Sequence, residues 1–140
     1  MKILVAADGS SHTKRMLAYL AAHDEWLGTR HEYTVFCGVV AVPHGAAAFV
    51  DKATVKAYYD SEAEAVFTPI RTFFTKQGIE ASFVSKTGHP AELIAKLADS
   101  GQFDLVMMGS HGHGLLANLV LGSVATKVLA NCKTPVLLVR

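Results

Sequence analysis

FDLVMMGSHGHG, residues 103–114, is an apolar run that stops abruptly at a cluster of glycines. Residues 103–108 show no alternation of polar and apolar side chains, which predicts a strand buried on both faces of a parallel sheet. The glycine-rich stretch continues to Gly122, and from Val124 onward apolar residues recur at the spacing of a helix. This segment therefore predicts a strand, a glycine-rich loop and a helix in succession.

The same alternation of strands and helices extends outward over the rest of the chain. Strands are predicted at residues 2–7, 33–40, 79–85, 103–108 and 135–139. Helices are predicted from Ser10 to Gly28, over residues 51–76, from Pro90 and from Val124. Pro69 predicts a kink or a split in the second helix. Because such strands need crossover connections, we expect one doubly wound α/β domain over residues 1–140, with a five-stranded parallel sheet and helices on both faces.

Composition argues against several classes of function. The 13 basic and 12 acidic residues give a net charge of +1, and the basic residues are scattered, which disfavours a nucleic-acid partner. No apolar stretch approaches the ~20 residues that span a bilayer, and the apolar N-terminus is too short for a signal peptide. Cys37 and Cys132 lack metal-ligand or redox spacing. We therefore expect a cytoplasmic protein without a membrane partner.

The glycine-rich loop has the chemistry of an anion site. Glycine lacks a Cβ, so successive backbone N–H groups can approach and surround a phosphate. The helix that follows adds unpaired N–H groups and the positive end of its dipole, and the Ser123 hydroxyl can donate to a phosphate oxygen. The alternative is that these glycines only turn the chain between strand and helix. Four glycines with two serines and two histidines after a central strand favour phosphate binding.

The spacing Gly109-x2-Gly112-x9-Gly122-Ser123 resembles the ATP-binding signature of the universal stress protein family. The first strand, which ends at Asp8-Gly9-Ser10, is similar to the opening of that family. The close of the chain, Thr134-Pro135-Val136-Leu137-Leu138-Val139, is similar to the family's last strand. The resemblance covers essentially the whole chain. It implies the strand order 3-2-1-4-5, which would place Asp8 and Gly109 at one crevice.

The resemblance also implies a set of nucleotide-binding residues: Ala7, Asp8, Val39, Met108, Gly109, His111, Gly112, Gly122, Ser123, Val124 and Ala125. The phosphates would be held by Gly109, Gly112, Gly122 and Ser123, with the N–H groups of His111, Val124 and Ala125 nearby. Asp8 would contact the ribose or adenine side and is a candidate ligand for Mg²⁺. The backbone of Val39 would face the adenine ring. ADP and AMP remain alternatives to ATP.

A homodimer is a further implication of the resemblance, formed through the last strand at residues 135–139. The glycine loop contains no lysine, and no second carboxylate is evident that could orient water. We therefore expect a stress-response protein that acts as an ATP-dependent switch, with slow or no hydrolysis, read by a downstream protein partner. The alternatives are an enzyme that uses bound ATP for hydrolysis or for adenyl or phosphoryl transfer, and a nucleotide-free interaction module.

Two other motifs overlap the glycine loop. Residues 112–117 fit G-x-G-x-x-G/A, but they follow the fourth predicted strand, and no acidic residue lies about twenty residues on, as a dinucleotide fold requires. His111 and His113 lack an evident third ligand, so a metal centre is disfavoured. His12 and the remaining histidines are expected to be solvated or to lie at helix ends.

Overall fold

The computed structural model describes residues 1–23, 25–114, 118 and 120–140. In chain order these residues form β1 (Lys2–Ala6), α1 (Ser11–Ala22), β2 (Glu32–Val39), α2 (His44–Ala47), α3 (Lys52–Lys76), β3 (Ala81–Thr87), α4 (Pro90–Ser100), β4 (Leu105–Gly109), α5 (Ser123–Asn131) and β5 (Val136–Val139). The described strands form a five-stranded parallel sheet in the order β3-β2-β1-β4-β5. The doubly wound α/β fold and its strand order are confirmed.

Each face of the sheet is covered by its own pair of helices. Along β1, Ile3 and Val5 point into a core with α1 and α3, whereas Leu4 and Ala6 point into a second core with α4 and α5. All four side chains are buried. Both faces of the strand need apolar residues, which is why the sequence of β1 does not alternate.

The centre of the sheet holds the point where the chain reverses its winding. β1 pairs with β2 on one side and with β4 on the other. The chain leaves β1 for α1, on the first face, and leaves β4 for α5, on the second face. Because the two connections depart in opposite directions, a crevice opens between the carboxyl ends of β1 and β4.

The first helix is shorter than predicted. α1 ends at Ala22, and His23 adopts an extended conformation, so the predicted continuation to Gly28 is wrong. Trp26 and Leu27 nevertheless pack against the same core as α1, which preserves the apolar spacing beyond the helix. The Tyr33 hydroxyl donates to the Trp26 carbonyl at 2.7 Å. This side-chain hydrogen bond from the next strand stabilises a turn that hydrophobic periodicity does not reveal.

Helix α3 runs through Pro69 without a break, so the predicted split does not occur. Proline lacks the N–H group that would bond the Ala65 carbonyl, but both residues lie on the exposed face of α3, where water can hydrate that carbonyl. The predicted position of Pro90 in the first turn of α4 is confirmed.

Two strands begin two residues later than predicted. The N–H of Ile79 donates to the Phe74 carbonyl and the N–H of Phe103 donates to the Ala98 carbonyl, so both residues still belong to the turns that close the preceding helices.

Helix α2 lies within the connection at residues 41–50.

Candidate functional site

A cavity of about 470 Å³ lies at the carboxyl ends of the strands, over the crevice between β1 and β4. Every residue that the sequence analysis assigned to a nucleotide site lines this cavity: Ala7, Asp8, Val39, Met108, Gly109, His111, Gly112, Gly122, Ser123, Val124 and Ala125. The fold thus brings four separate segments of the chain to one place. Residues 115–117 and 119 of the glycine-rich stretch lie outside the described residues.

The neck of the glycine loop is closed by a backbone hydrogen bond. The N–H of Gly122 donates to the Ser110 carbonyl at 2.8 Å, and the N–H of Ser110 donates to the Val139 carbonyl at 2.8 Å. A Cβ added at Gly122 would lie 3.0 Å from the His111 Cα and 3.2 Å from the Ser110 oxygen. A side chain at this position would force the His111 or Ser110 backbone to shift by a few tenths of an ångström, so glycine favours the close approach of the two ends of the loop.

Helix α5 begins immediately after this neck. Its N-cap residue is Gly122, which has no side chain with which to cap the first turn. The N–H groups at the start of α5 therefore lack the side-chain acceptor that a serine or aspartate cap would supply. Ser123, Val124 and Ala125 all line the cavity, so an anion there would meet the positive end of the helix dipole.

Asp8 is held rigidly at the end of β1. Its Oδ1 accepts hydrogen bonds from the Ser10 N–H at 2.9 Å and from the Thr13 hydroxyl at 3.0 Å. The other oxygen, Oδ2, faces the glycine loop, where it would lie 2.5 Å from a Cβ added at Gly112. Asp8 thus reaches the glycine loop itself, and among the described residues its Oδ2 has no hydrogen-bond donor.

Three histidines surround the glycine loop. The His113 Nε2–H donates to the Asp8 carbonyl at 2.6 Å, across 105 positions of sequence. The His111 Nδ1 lies 2.9 Å from the Ser110 hydroxyl, and its ring lies 5.1 Å from that of His12. His12 belongs to the first turn of α1, as expected, but its Nδ1 is buried without a hydrogen-bond partner among the described residues. In the part of the chain that the structure describes, no three His, Cys, Asp or Glu side chains form a metal-binding group.

The opposite end of the cavity is formed by β2, α3 and α4. The Val39 carbonyl accepts a hydrogen bond from the Gly88 N–H at 2.9 Å, which uses one of its two acceptor positions. Cys37 is buried beside it, and burial, with smaller effects from the Asp8 and Glu62 carboxylates, raises the pKa of its thiol to about 11. Deprotonation of this thiol is therefore disfavoured at neutral pH.

Sequence reasoning missed the wall that the helices contribute. Tyr58, Glu62 and Val66 of α3 line the cavity, as do Pro90 and Ile94 of α4. A four-residue spacing unites the three α3 residues, but this pattern alone does not reveal which face of α3 borders a cavity. Among the described lining residues there is no lysine or arginine, whereas Asp8 and Glu62 supply two carboxylates.

Comparison with known proteins identifies the family. The model of the universal stress protein family matches residues 1–140. A universal stress protein of Thermus aquaticus, from the QAH/OAS sulfhydrylase 3′ region, is 33% identical over 142 residues, which cover 99% of this chain and 97% of that protein. Among the described residues, no helix is both long enough and apolar enough to cross a bilayer.

Solved structures of the family share the fold. The structure of MJ0577, a universal stress protein of Methanocaldococcus jannaschii, superposes with a TM-score of 0.79 at 25% identity and covers 99% of this chain and 94% of that one. An Arabidopsis thaliana universal stress protein family protein with AMP bound superposes with a TM-score of 0.70 at 14% identity, covering 99% and 90%. The match over the full chain, together with the shared strand order, shows that this chain belongs to the universal stress protein family.

Proposed function

We propose that the cavity binds an adenine nucleotide, with ATP as the principal ligand and ADP or AMP as alternatives. The observation that carries this proposal is the convergence of the loop neck, the uncapped start of α5 and the Asp8 carboxylate on one cavity. The AMP-bound Arabidopsis thaliana relative supports an adenine nucleotide as the class of ligand. In this proposal residues 1–140 form one nucleotide-binding domain.

The two ends of the cavity suit the two ends of a nucleotide. The phosphates bind at Gly109, Gly112, Gly122 and Ser123, with the N–H groups of His111, Val124 and Ala125. The base lies at the other end, where Ala7, Val39 and Met108 line the cavity together with the apolar side chains of α4. An apolar wall with a few backbone polar groups is typical of a site for a flat heterocycle.

ATP would enter this cavity with Mg²⁺. ATP carries several negative charges, and the described lining offers two carboxylates but no lysine or arginine to neutralise them. Asp8 fits a metal-ligating role, since its Oδ2 faces the loop while its Oδ1 is held by Ser10 and Thr13. A divalent cation would supply the positive charge that the lining lacks. We therefore expect ATP affinity to fall sharply when Mg²⁺ is removed with a chelator.

The protein would act as a nucleotide-dependent switch in the stress response rather than as a fast ATPase. Phosphoryl transfer normally uses a protein cation to neutralise the transferring group, and the described lining has no lysine or arginine for this. A switch requires that nucleotide binds two conformations or assemblies unequally. A partner protein would then read the bound state.

A homodimer through the last strand is part of this proposal. Among the described strands, β5 (Val136–Val139) lies at the edge of the sheet and pairs with β4 on one side only. Leu137 and Leu138 on this strand are partly buried hydrophobic residues. An apolar edge strand is a template for pairing with another chain, and a second copy of the same strand would cover it.

The test is acid extraction of the purified protein, with the released nucleotide identified by chromatography and mass, followed by titration with Mg²⁺-ATP. In Gly122→Val, the side chain would collide with the His111 backbone and open the loop neck, so we expect loss of extracted nucleotide and of added ATP binding. Gly45→Val is the matched control, because a Cβ at Gly45 meets no atom within 4 Å. If the wild-type protein binds no adenine nucleotide, the glycines only shape a turn and the proposal fails in favour of a nucleotide-free interaction module.

A further inference from the structure

A carboxylate of helix α3 faces the nucleoside end of the cavity. Tyr58, Glu62 and Val66 follow one another at four-residue spacing, so they form one stripe along the helix, and all three line the cavity. The Val66 Cγ2 lies 3.3 Å from the position of a Cβ at Gly9, next to Asp8. Glu62 lies one turn, about 5.4 Å, nearer the start of α3, and helical side chains lean in that direction. The Glu62 carboxylate therefore lies beyond the end of β1, above Asp8.

Glu62 differs from neighbouring acidic residues of the same helix. Asp60 pairs with Lys56, and Glu64 pairs with Arg71 at 3.2 Å. In the part of the chain that the structure describes, Glu62 has neither an ion pair nor a hydrogen bond. Its charge still acts inside the cavity, where it adds to the effect of burial on the Cys37 thiol. Glu62 thus brings to the cavity a carboxylate that no described side chain neutralises.

The chemistry of the group that Glu62 would bind follows from its charge. An ionised carboxylate only accepts hydrogen bonds, so it repels phosphate and favours ligand groups that donate. The base, which is flat and largely apolar, suits the opposite wall of Pro90 and Ile94. Adenosine has two kinds of donor, the adenine amino group and the ribose hydroxyls. The Val39 carbonyl keeps one acceptor position that the amino group can use, so the ribose hydroxyls are the donors left for the α3 wall. Asp8 is less suited to this task, because its Oδ1 is occupied and its Oδ2 faces the phosphate loop.

We propose that Glu62 accepts hydrogen bonds from the ribose hydroxyls of the bound nucleotide and so selects ribonucleotides over deoxyribonucleotides. This inference rests on the proposed nucleotide function and adds a specificity-determining residue to it.

The experiment measures binding of Mg²⁺-ATP and of Mg²⁺-2′,3′-dideoxy-ATP by isothermal titration calorimetry. A hydrogen bond to a charged group stabilises a complex by about 1.5–3 kcal/mol, so the wild-type protein should bind dideoxy-ATP roughly ten- to a hundredfold more weakly than ATP. In Glu62→Ala, ATP binding should weaken by a similar factor, and the two nucleotides should bind about equally. Glu64→Ala is the matched control on the same helix and should discriminate as the wild type does.

The outcomes separate this inference from the proposed function. If Glu62→Ala still prefers ATP by the wild-type factor, the role of Glu62 is refuted while nucleotide binding stands. Equal binding of both nucleotides by the wild type refutes it as well. If the wild type binds neither, both proposals fail. Because Glu62 is exposed, we expect its alanine variant to match the Glu64→Ala variant in circular dichroism and unfolding midpoint.

Discussion

Gly109 tests whether a glycine of the loop is required for packing in addition to its proposed role in nucleotide binding. A Cβ added at Gly109 would lie 2.6 Å from the Cβ of His12 and 3.2 Å from the His12 carbonyl carbon. Non-bonded carbon atoms prefer about 3.5–4.0 Å, so the overlap is close to 1 Å. β4 and α1 would have to move apart, because neither atom belongs to a flexible side-chain end. Overpacking of this kind typically costs about 1–3 kcal/mol, and we expect Gly109→Ala to lower the free energy of unfolding by that amount.

The assay is urea unfolding without nucleotide, followed by the fluorescence of Trp26, the single tryptophan. Gly45→Ala is the control, since a Cβ there has no neighbour within 4 Å. His12→Gly should relieve the Cβ overlap, so the double variant should lose less stability than the sum of the two single changes. Equal stability of Gly109→Ala and Gly45→Ala, or strict additivity with His12→Gly, would refute the steric argument and leave only the proposed ligand role of Gly109.

Two further predictions concern titrating groups. Partial desolvation raises the pKa of Asp99, but hydrogen bonds from Thr134 and its neighbours outweigh it and hold the pKa below its usual value. The ionised form of Asp99 therefore stabilises the fold, so Asp99→Asn should unfold at a lower urea concentration than wild type at pH 7. The difference between the two midpoints should shrink as the pH falls below about 4, and a pH-independent difference would contradict this. Burial, followed by the charges of Asp8 and Glu62, raises the pKa of the Cys37 thiol to about 11. Cys37 should therefore react with a disulfide reagent at pH 8 far more slowly than after unfolding in urea, and equal rates would show that it is accessible.

Hydrophobic patterns in the sequence predicted the strands well where both faces of a strand are buried. The apolar runs of β1 and β4 could be assigned from the sequence, because a strand buried on both faces needs apolar residues at every position. The end of α1 could not be assigned in this way. Trp26 keeps the apolar spacing of the helix while lying in a turn, and the hydrogen bond that stabilises this turn comes from Tyr33 on the next strand.

In the candidate site, too, some residues could be predicted from the sequence and others could not. The glycines from Gly109 to Gly122 lie in one segment of the sequence. The resemblance of their spacing to that of a known family predicted eleven of the residues that line the cavity. Glu62 escaped prediction because it lies in a polar stretch of α3 beside Asp60 and Glu64, where one more glutamate resembles any solvated residue. His12 likewise gave no sign that its Cβ packs against Gly109.

The sequence by itself determined the order of strands and helices and the loop that can surround an anion, because hydrophobic periodicity and the absence of a Cβ are local properties. Only the tertiary structure decided which distant groups share the cavity. Parallel strands end at one edge of the sheet, and the reversal of winding between β1 and β4 opens a crevice there. That geometry places Asp8 against Gly112 and brings Glu62 of α3 within electrostatic reach of Cys37, contacts that no spacing along the chain encodes.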